Sequence, residues 1–196
     1  MSEIKEQVQN FIHKYLDVHP EAEAMIADYA LRTWQPRPKS VKYLQFIGMP
    51  NSGKTRAGAV MEAICYNPLK ATGNTSPASL LYLMDEKCPC TLILDDAYTH
   101  NDPESTIAKI LNFGAVDSCR IWNAEPRALE VFGYKVVIST LKFRDPAIQS
   151  KCITVKLSET QRNEIPRFLS DEFEKDSAEI QQALSAFHAD IPAFVL

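Results

Sequence analysis

Apolar residues recur at helical spacing from the start of the chain. Ile4, Val8, Phe11, Ile12, Tyr15 and Leu16 share one face of a helix predicted over 2–18, and Met25, Ile26, Tyr29, Ala30 and Trp34 one face of a second over 20–34. Pro36 and Pro38 stop that pattern and make 35–40 a linker. Residues 41–47 are rich in β-branched and aromatic side chains, which predicts a strand, and the helical pattern returns over 54–65. After a short strand or loop over 68–75, Ser76-Pro77 opens a helix to about residue 86, with proline at a first-turn position where its missing N–H costs nothing. An apolar run over 91–94 ends in Asp95-Asp96, and a polar loop over 100–103 leads to a helix near 104–113. The stretch 119–132 reads as a hairpin around Glu125-Pro126. A further apolar strand over 133–140 closes on Ser139-Thr140, followed by a short helix at 145–150 and a last strand at 152–157. Beyond Ser158 the pattern is helical, charged on one face, with Phe168, Phe173, Ile180, Leu184 and Phe187 on the other. Strands alternating with helices predict an α/β fold around a parallel sheet.

The junction between the strand at 41–47 and the helix at 54–65 carries the strongest chemical signal. Gly48-Met49-Pro50-Asn51-Ser52-Gly53-Lys54-Thr55 matches the phosphate-binding pattern G-x-x-x-x-G-K-[ST]. Gly48 and Gly53 allow backbone angles that aim successive N–H groups at a phosphate, with Pro50, Asn51 and Ser52 completing the cradle. The helix beginning near Lys54 adds the positive end of its dipole. Lys54 would neutralise β- and γ-phosphate oxygens, and the Thr55 hydroxyl would ligate Mg²⁺, so the expected ligand is ATP with Mg²⁺. Hydrolysis needs carboxylates as well. Asp95 at the strand tip is placed to hold the metal, and Asp96 to orient the attacking water; an acidic cap on the next turn is the alternative. Ser139 or Thr140 fits a polar group between them that senses the γ-phosphate, against ordinary strand termination.

Composition narrows the partners rather than the fold. With 45% hydrophobic residues the chain can bury a core, and a formal charge of −4 argues against a surface that is basic throughout. Any DNA contact must then be local. No apolar run approaches membrane-span length and no leader is evident at the N-terminus, so the expectation is a soluble, cytoplasmic protein, with host-nucleoid association as the variant and no membrane partner. The five cysteines Cys65, Cys88, Cys90, Cys119 and Cys152 lack a disulfide framework spacing. Cys88-Pro89-Cys90 lacks the two-residue spacer of zinc and redox pairs and leads into a strand where cysteine packs as a small hydrophobe. His13, His19, His100 and His188 are scattered and compose no triad or metal site.

The order of these features resembles AAA+ helicase-like ATPases of plasmids, viruses and integrated mobile elements, including the motor parts of primase-helicases. The likeness runs from about residue 5 to 157 and rests on Tyr43–Gly48 leading into the loop, Leu92-Ile93-Leu94-Asp95-Asp96, 131–138, and 144–155. It implies an additional-strand P-loop ATPase core over 39–157, with helical segments over 1–38 and 158–196. It also implies a homo-oligomeric ring, usually a hexamer, that moves on single-stranded or forked DNA during replication, with a possible replication partner protein. Asp95 would be the metal-side acid, Asp96 the catalytic acid, and Ser139 or Thr140 the sensor. The chain departs from the family in two places. Asp96 stands where Glu is common, setting the carboxylate back, and Lys151 follows Ser150 where arginine is common, losing the planar two-pronged contact. Arg144 and Arg120 are the other candidates for the cation offered to a neighbouring subunit. Arg120, Trp122 and Arg127 on the hairpin are the candidate DNA contacts, with Trp122 stacking on a base or else buried on the ribbon. An ATP-gated loader or adaptor with slow turnover is the second reading, favoured by Asp96, Lys151 and the acidic charge. A small P-loop kinase is the third, and lacks an arginine cluster for a lid.

Overall fold

A strand with no polar alternation is stable only where both faces of its sheet are covered, and the sequence supplies covering helices on both sides. The computed structural model of the chain describes residues 2–72, 75–95, 105–122 and 127–190. In chain order the elements are α1 (Ser2–Tyr15), α2 (Pro20–Thr33), β1 (Tyr43–Ile47), α3 (Lys54–Ile64), β2 (Pro68–Thr72), α4 (Pro77–Lys87) and β3 (Thr91–Asp95). There follow α5 (Thr106–Phe113), β4 (Arg120–Trp122), β5 (Ala128–Glu130), β6 (Lys135–Ser139), α6 (Pro146–Gln149), β7 (Cys152–Lys156) and α7 (Asp171–Ala189). Asp96, the loop expected at 100–103 and the hairpin tip at Glu125-Pro126 lie outside the described residues. Among the described residues no helix is long and apolar enough to cross a membrane.

The five parallel strands run in the order β2-β3-β6-β1-β7. Successive side chains alternate between two cores. Leu44, Phe46, Ile93, Val136 and Ile138 face α1, α2, α3 and α7. Tyr43, Leu92, Leu94 and Val137 face α4, α5 and α6. The predicted apolar face of α1 is the buried one, and Phe173 of α7 packs edge-on against Tyr15 at a centroid distance of 4.9 Å. Ser76, Ser105 and Asp145 each accept a backbone N–H at the start of α4, α5 and α6, which fixes where those helices begin.

Helical spacing was expected from Ser158 onward, but α7 begins only at Asp171, and Phe168 is 74% exposed rather than on its apolar face. Pro166 removes a ladder donor within the stretch, and 158–170 instead folds back over the end of α1. There the Asp17 carboxylate accepts from Thr160 Oγ1 at 2.8 Å and from the Gln161 N–H at 2.9 Å.

An ion pair secures α7. Lys14 Nζ and Tyr15 Oη both donate to Asp176, at 2.6 and 2.7 Å. The hydrogen bond from Lys14 is the main reason that the Asp176 carboxyl lies below its ordinary value of 3.8. A depressed carboxylate contributes stability above its unfolded value and loses it as pH falls through the folded one. Asp176→Asn is therefore expected to lower stability by about 1 kcal/mol at neutral pH. In thermal unfolding, the gap to the parent protein should close once the medium is acidic enough to protonate Asp176.

Candidate functional site

The chain leaves β1 at Ile47 and turns sharply. The Gly48 N–H donates to the Ser139 carbonyl at 3.3 Å, and the Ser52 N–H to Met49 at 3.2 Å. Asn51 and Gly53 take left-handed backbone angles, with φ of 66° and 84°. Gly53 caps α3 with no side-chain hydrogen bond, and the first turn carries no acidic residue, so the leading N–H groups of α3 are left for a ligand. At Gly48 the constraint is contact: a Cβ there would lie 2.1 Å from Ser52 Oγ and 2.9 Å from the Leu157 carbonyl. Lys54 Nζ donates to the carbonyls of Gly48 and Met49 at 2.7 and 3.1 Å, folded across the loop. Ser52 Oγ is buried with no hydrogen-bond partner among the described residues. Uncapped helix donors, a lysine at the rim and an unpaired buried hydroxyl form a cradle with the chemistry of a phosphate site.

Sheet register sets the rest in a row at the same edge. Asp95 stands opposite Ile138, and Ser139 opposite Ile47, so β3, β6 and β1 end side by side. The Asp95 carboxylate sits against α3, since a Cβ built on Gly58 would come 4.0 Å from its Oδ2. Thr55 is exposed and one turn before Gly58, and so shares the helix face nearest Asp95. These are the two residues proposed from sequence for Mg²⁺, and the fold brings them to one side of α3. Asp96 lies outside the described residues.

Ser139 and Thr140 point to different places. Ser139 is 8% exposed, donates to the Leu141 carbonyl at 2.8 Å and accepts from Gln45 Nε2 at 3.3 Å. Gln45 in turn accepts from Gln149 and Thr154, both at 3.2 Å, so Ser139 belongs to a buried polar network under the strand ends. Thr140 is exposed and lines the cleft beside the loop.

That cleft holds about 760 Å³, within the range of small-molecule sites. Its far wall comes from residues that the sequence did not mark as site residues: Asp17, Arg56, Thr160, Ile165, Arg167 and Phe168. Arg56 ties the wall to the loop by donating to the carbonyls of Arg167 at 2.9 Å and Tyr15 at 3.5 Å. Burial holds the Arg56 guanidinium below its ordinary value. Burial also pulls the Asp17 carboxyl upward, but the bonds from Thr160 and Gln161 outweigh it and leave it below 3.8. Arg56 directly follows Thr55 in sequence, which could have drawn attention to it. The others reach the cleft only through tertiary packing.

The candidate cations lie elsewhere. Lys151 immediately precedes β7, whose first residue pairs with Tyr43, at the opposite end of β1 from the loop. Its Nζ donates to Ala147 at 2.9 Å and Asn112 at 3.3 Å. Arg144 is exposed before α6. Arg120 is paired with Glu130 at 2.8 Å, and Arg127 with Asp85, so both hairpin arginines already hold carboxylates. The antiparallel pair β4–β5 forms as expected, and Trp122 is 70% exposed, which removes the alternative of a buried aromatic.

No family model matches the sequence, and no curated protein matches it significantly. Solved structures do. The Saccharomyces cerevisiae Hsp104–ADP complex aligns with a TM-score of 0.54 at 13% identity, over 93% of this chain and 39% of that one. The apo NrS-1 C-terminal region aligns with a TM-score of 0.54 at 9% identity, over 93% of this chain and 44% of that one. The Thermotoga maritima RuvB P216G mutant aligns with a TM-score of 0.48 at 15% identity, over 74% and 48% of the two chains. The chain thus spans between 39% and 48% of the lengths of these three. At such identities the likeness speaks to the fold alone; in this chain β6 separates the loop-bearing β1 from the acid-bearing β3. The protein therefore has an α/β fold, a parallel sheet flanked by helices with the glycine loop following β1, similar to that of these solved structures.

Proposed function

We propose that the protein is a Mg²⁺-dependent ATPase that assembles as a homo-oligomeric ring, a hexamer, and acts as a helicase or translocase on single-stranded or forked DNA during replication of a mobile element. The observation carrying the reading is that the P-loop and Thr140 line one cleft, while Asp95 ends β3 at the same edge of the sheet with its carboxylate against α3. In this reading the loop N–H groups and Lys54 bind the β- and γ-phosphates and stabilise charge developing on them. Thr55 and Asp95 would hold Mg²⁺, which supplies charge neutralisation on the phosphate oxygens. Asp96 would orient water, and Thr140, as the cleft-facing member of its pair, would contact the γ-phosphate. Lys151 cannot reach the loop of its own subunit from the opposite end of the sheet, so any nucleotide it touches belongs to a neighbour.

Two consequences separate the hydroxyls. Thr140→Ala is expected to lower turnover about tenfold or more while ATP binding holds. Ser139→Ala should instead lower thermal stability by about 1 kcal/mol through the Gln45 network. Equal effects on turnover would contradict the assignment.

The ion pairs of Arg120 and Arg127 favour a second reading, an ATP-gated loader or adaptor for a replication partner, because neither guanidinium is free for a DNA backbone. Steady-state hydrolysis with and without single-stranded DNA, with mass measurement in the presence of ATP, tests the pair. DNA-stimulated turnover by a hexamer supports the motor; slow turnover indifferent to DNA supports the adaptor.

A further inference from the structure

Lys135 opens β6 and is wholly buried. Its Nζ donates to the carbonyls of Gly114 at 3.0 Å, Val131 at 2.9 Å and Gly133 at 3.0 Å, with the Tyr43 ring 5.0 Å away. Three acceptors match the three N–H groups of an ammonium, while burial pushes the pKa of Lys135 down to about 7. A buried charge is an expensive way to fill space, and an apolar side chain would do that at less cost. The Gly133 N–H already donates to the Gly114 carbonyl at 3.2 Å, and the ammonium adds Val131 and the start of β6 to that junction.

Those segments lead to two functional regions. Gly114 caps the C-terminal end of α5. Val131 and Gly133 follow β5 and form the exit of the hairpin carrying Trp122. Lys135 itself begins the central strand that ends at Ser139, beside Thr140 in the cleft. Of the elements tied at this end, β6 has its other end at the candidate nucleotide site. We propose that the Lys135 ammonium is a positioning group that carries the state of the nucleotide cleft to the hairpin stem. The inference rests on the reading that the cleft binds ATP.

Hydrogen exchange with and without a non-hydrolysable ATP analogue and Mg²⁺ tests it. In the parent protein the analogue should protect α3 and change exchange in residues 128–135 by about fivefold or more, the low end of allosteric coupling. Lys135→Met should keep the protection of α3 and lose the response of 128–135. Lys135→Gln, which retains amide donors without the charge, should do the same and serves if the methionine variant does not fold. Tyr29→Phe is the control: Tyr29 Oη bonds the Lys135 backbone N–H and carbonyl at 3.1 and 2.8 Å without touching the ammonium, so that variant should keep the stem response. A protected α3 with an unresponsive stem in the parent protein, or a stem that responds equally in a folded Lys135 variant, overturns the coupling. Absence of α3 protection would instead remove the nucleotide reading beneath it.

Discussion

Lys54→Ala is expected to weaken ATP binding about 10- to 100-fold, the worth of one charge-assisted hydrogen bond of about 1.5–3 kcal/mol. Turnover should fall further, by about 100-fold or more, because the same ammonium stabilises charge that grows on the transferring phosphoryl group. The fold should be untouched. Lys54 is only part-buried and its present partners are two loop carbonyls, so its removal opens no core cavity. Titration calorimetry and phosphate release read the two effects separately. A variant that bound and hydrolysed ATP like the parent would remove the loop from the mechanism.

Gly48→Ala should act on the same site by a different physical route. The added Cβ meets Ser52 Oγ, which can rotate, but also the Leu157 carbonyl at 2.9 Å, which belongs to the backbone leaving β7. The loop must shift, and overpacking of this kind costs about 1–3 kcal/mol. The variant is expected to melt earlier and bind ATP at least tenfold more weakly, since donors moved by even a fraction of an ångström no longer converge on one phosphate. If thermal stability fell while affinity held, the loop geometry would not be what holds the ligand.

Much of this was legible in the sequence because the signals were local. The G-x-x-x-x-G-K-[ST] spacing dictates a glycine turn before a helix, and the near-continuous apolar runs at β1, β3 and β6 could only be strands covered on both faces. Strand order was not readable from any local pattern. That β6 lies between β1 and β3 depends on which helices pack on which face, and the resemblance supplied that expectation rather than periodicity. The division of labour between Ser139 and Thr140 was open for a related reason: adjacent residues at a strand end point to opposite faces, and only the register with Ile47 fixes which face is which. Phe168 was placed on a helix because apolar spacing continued through it, whereas Pro166 and the hydrogen bonds of Asp17 hold that stretch across the cleft instead. Asp17, Thr160 and Arg167 were invisible as site residues, since they converge from opposite ends of the chain. The three-carbonyl site of Lys135 was equally hidden, because a lysine at the start of a strand ordinarily reads as a solvated charge.

Phosphate release from Mg²⁺-ATP by the purified protein tests whether the cleft beside Gly48–Thr55 binds ATP and turns it over. Steady release that needs Mg²⁺ and is lost in Lys54→Ala is expected. Release that persisted undiminished in Lys54→Ala, or a parent protein that neither bound ATP nor released phosphate, would contradict it.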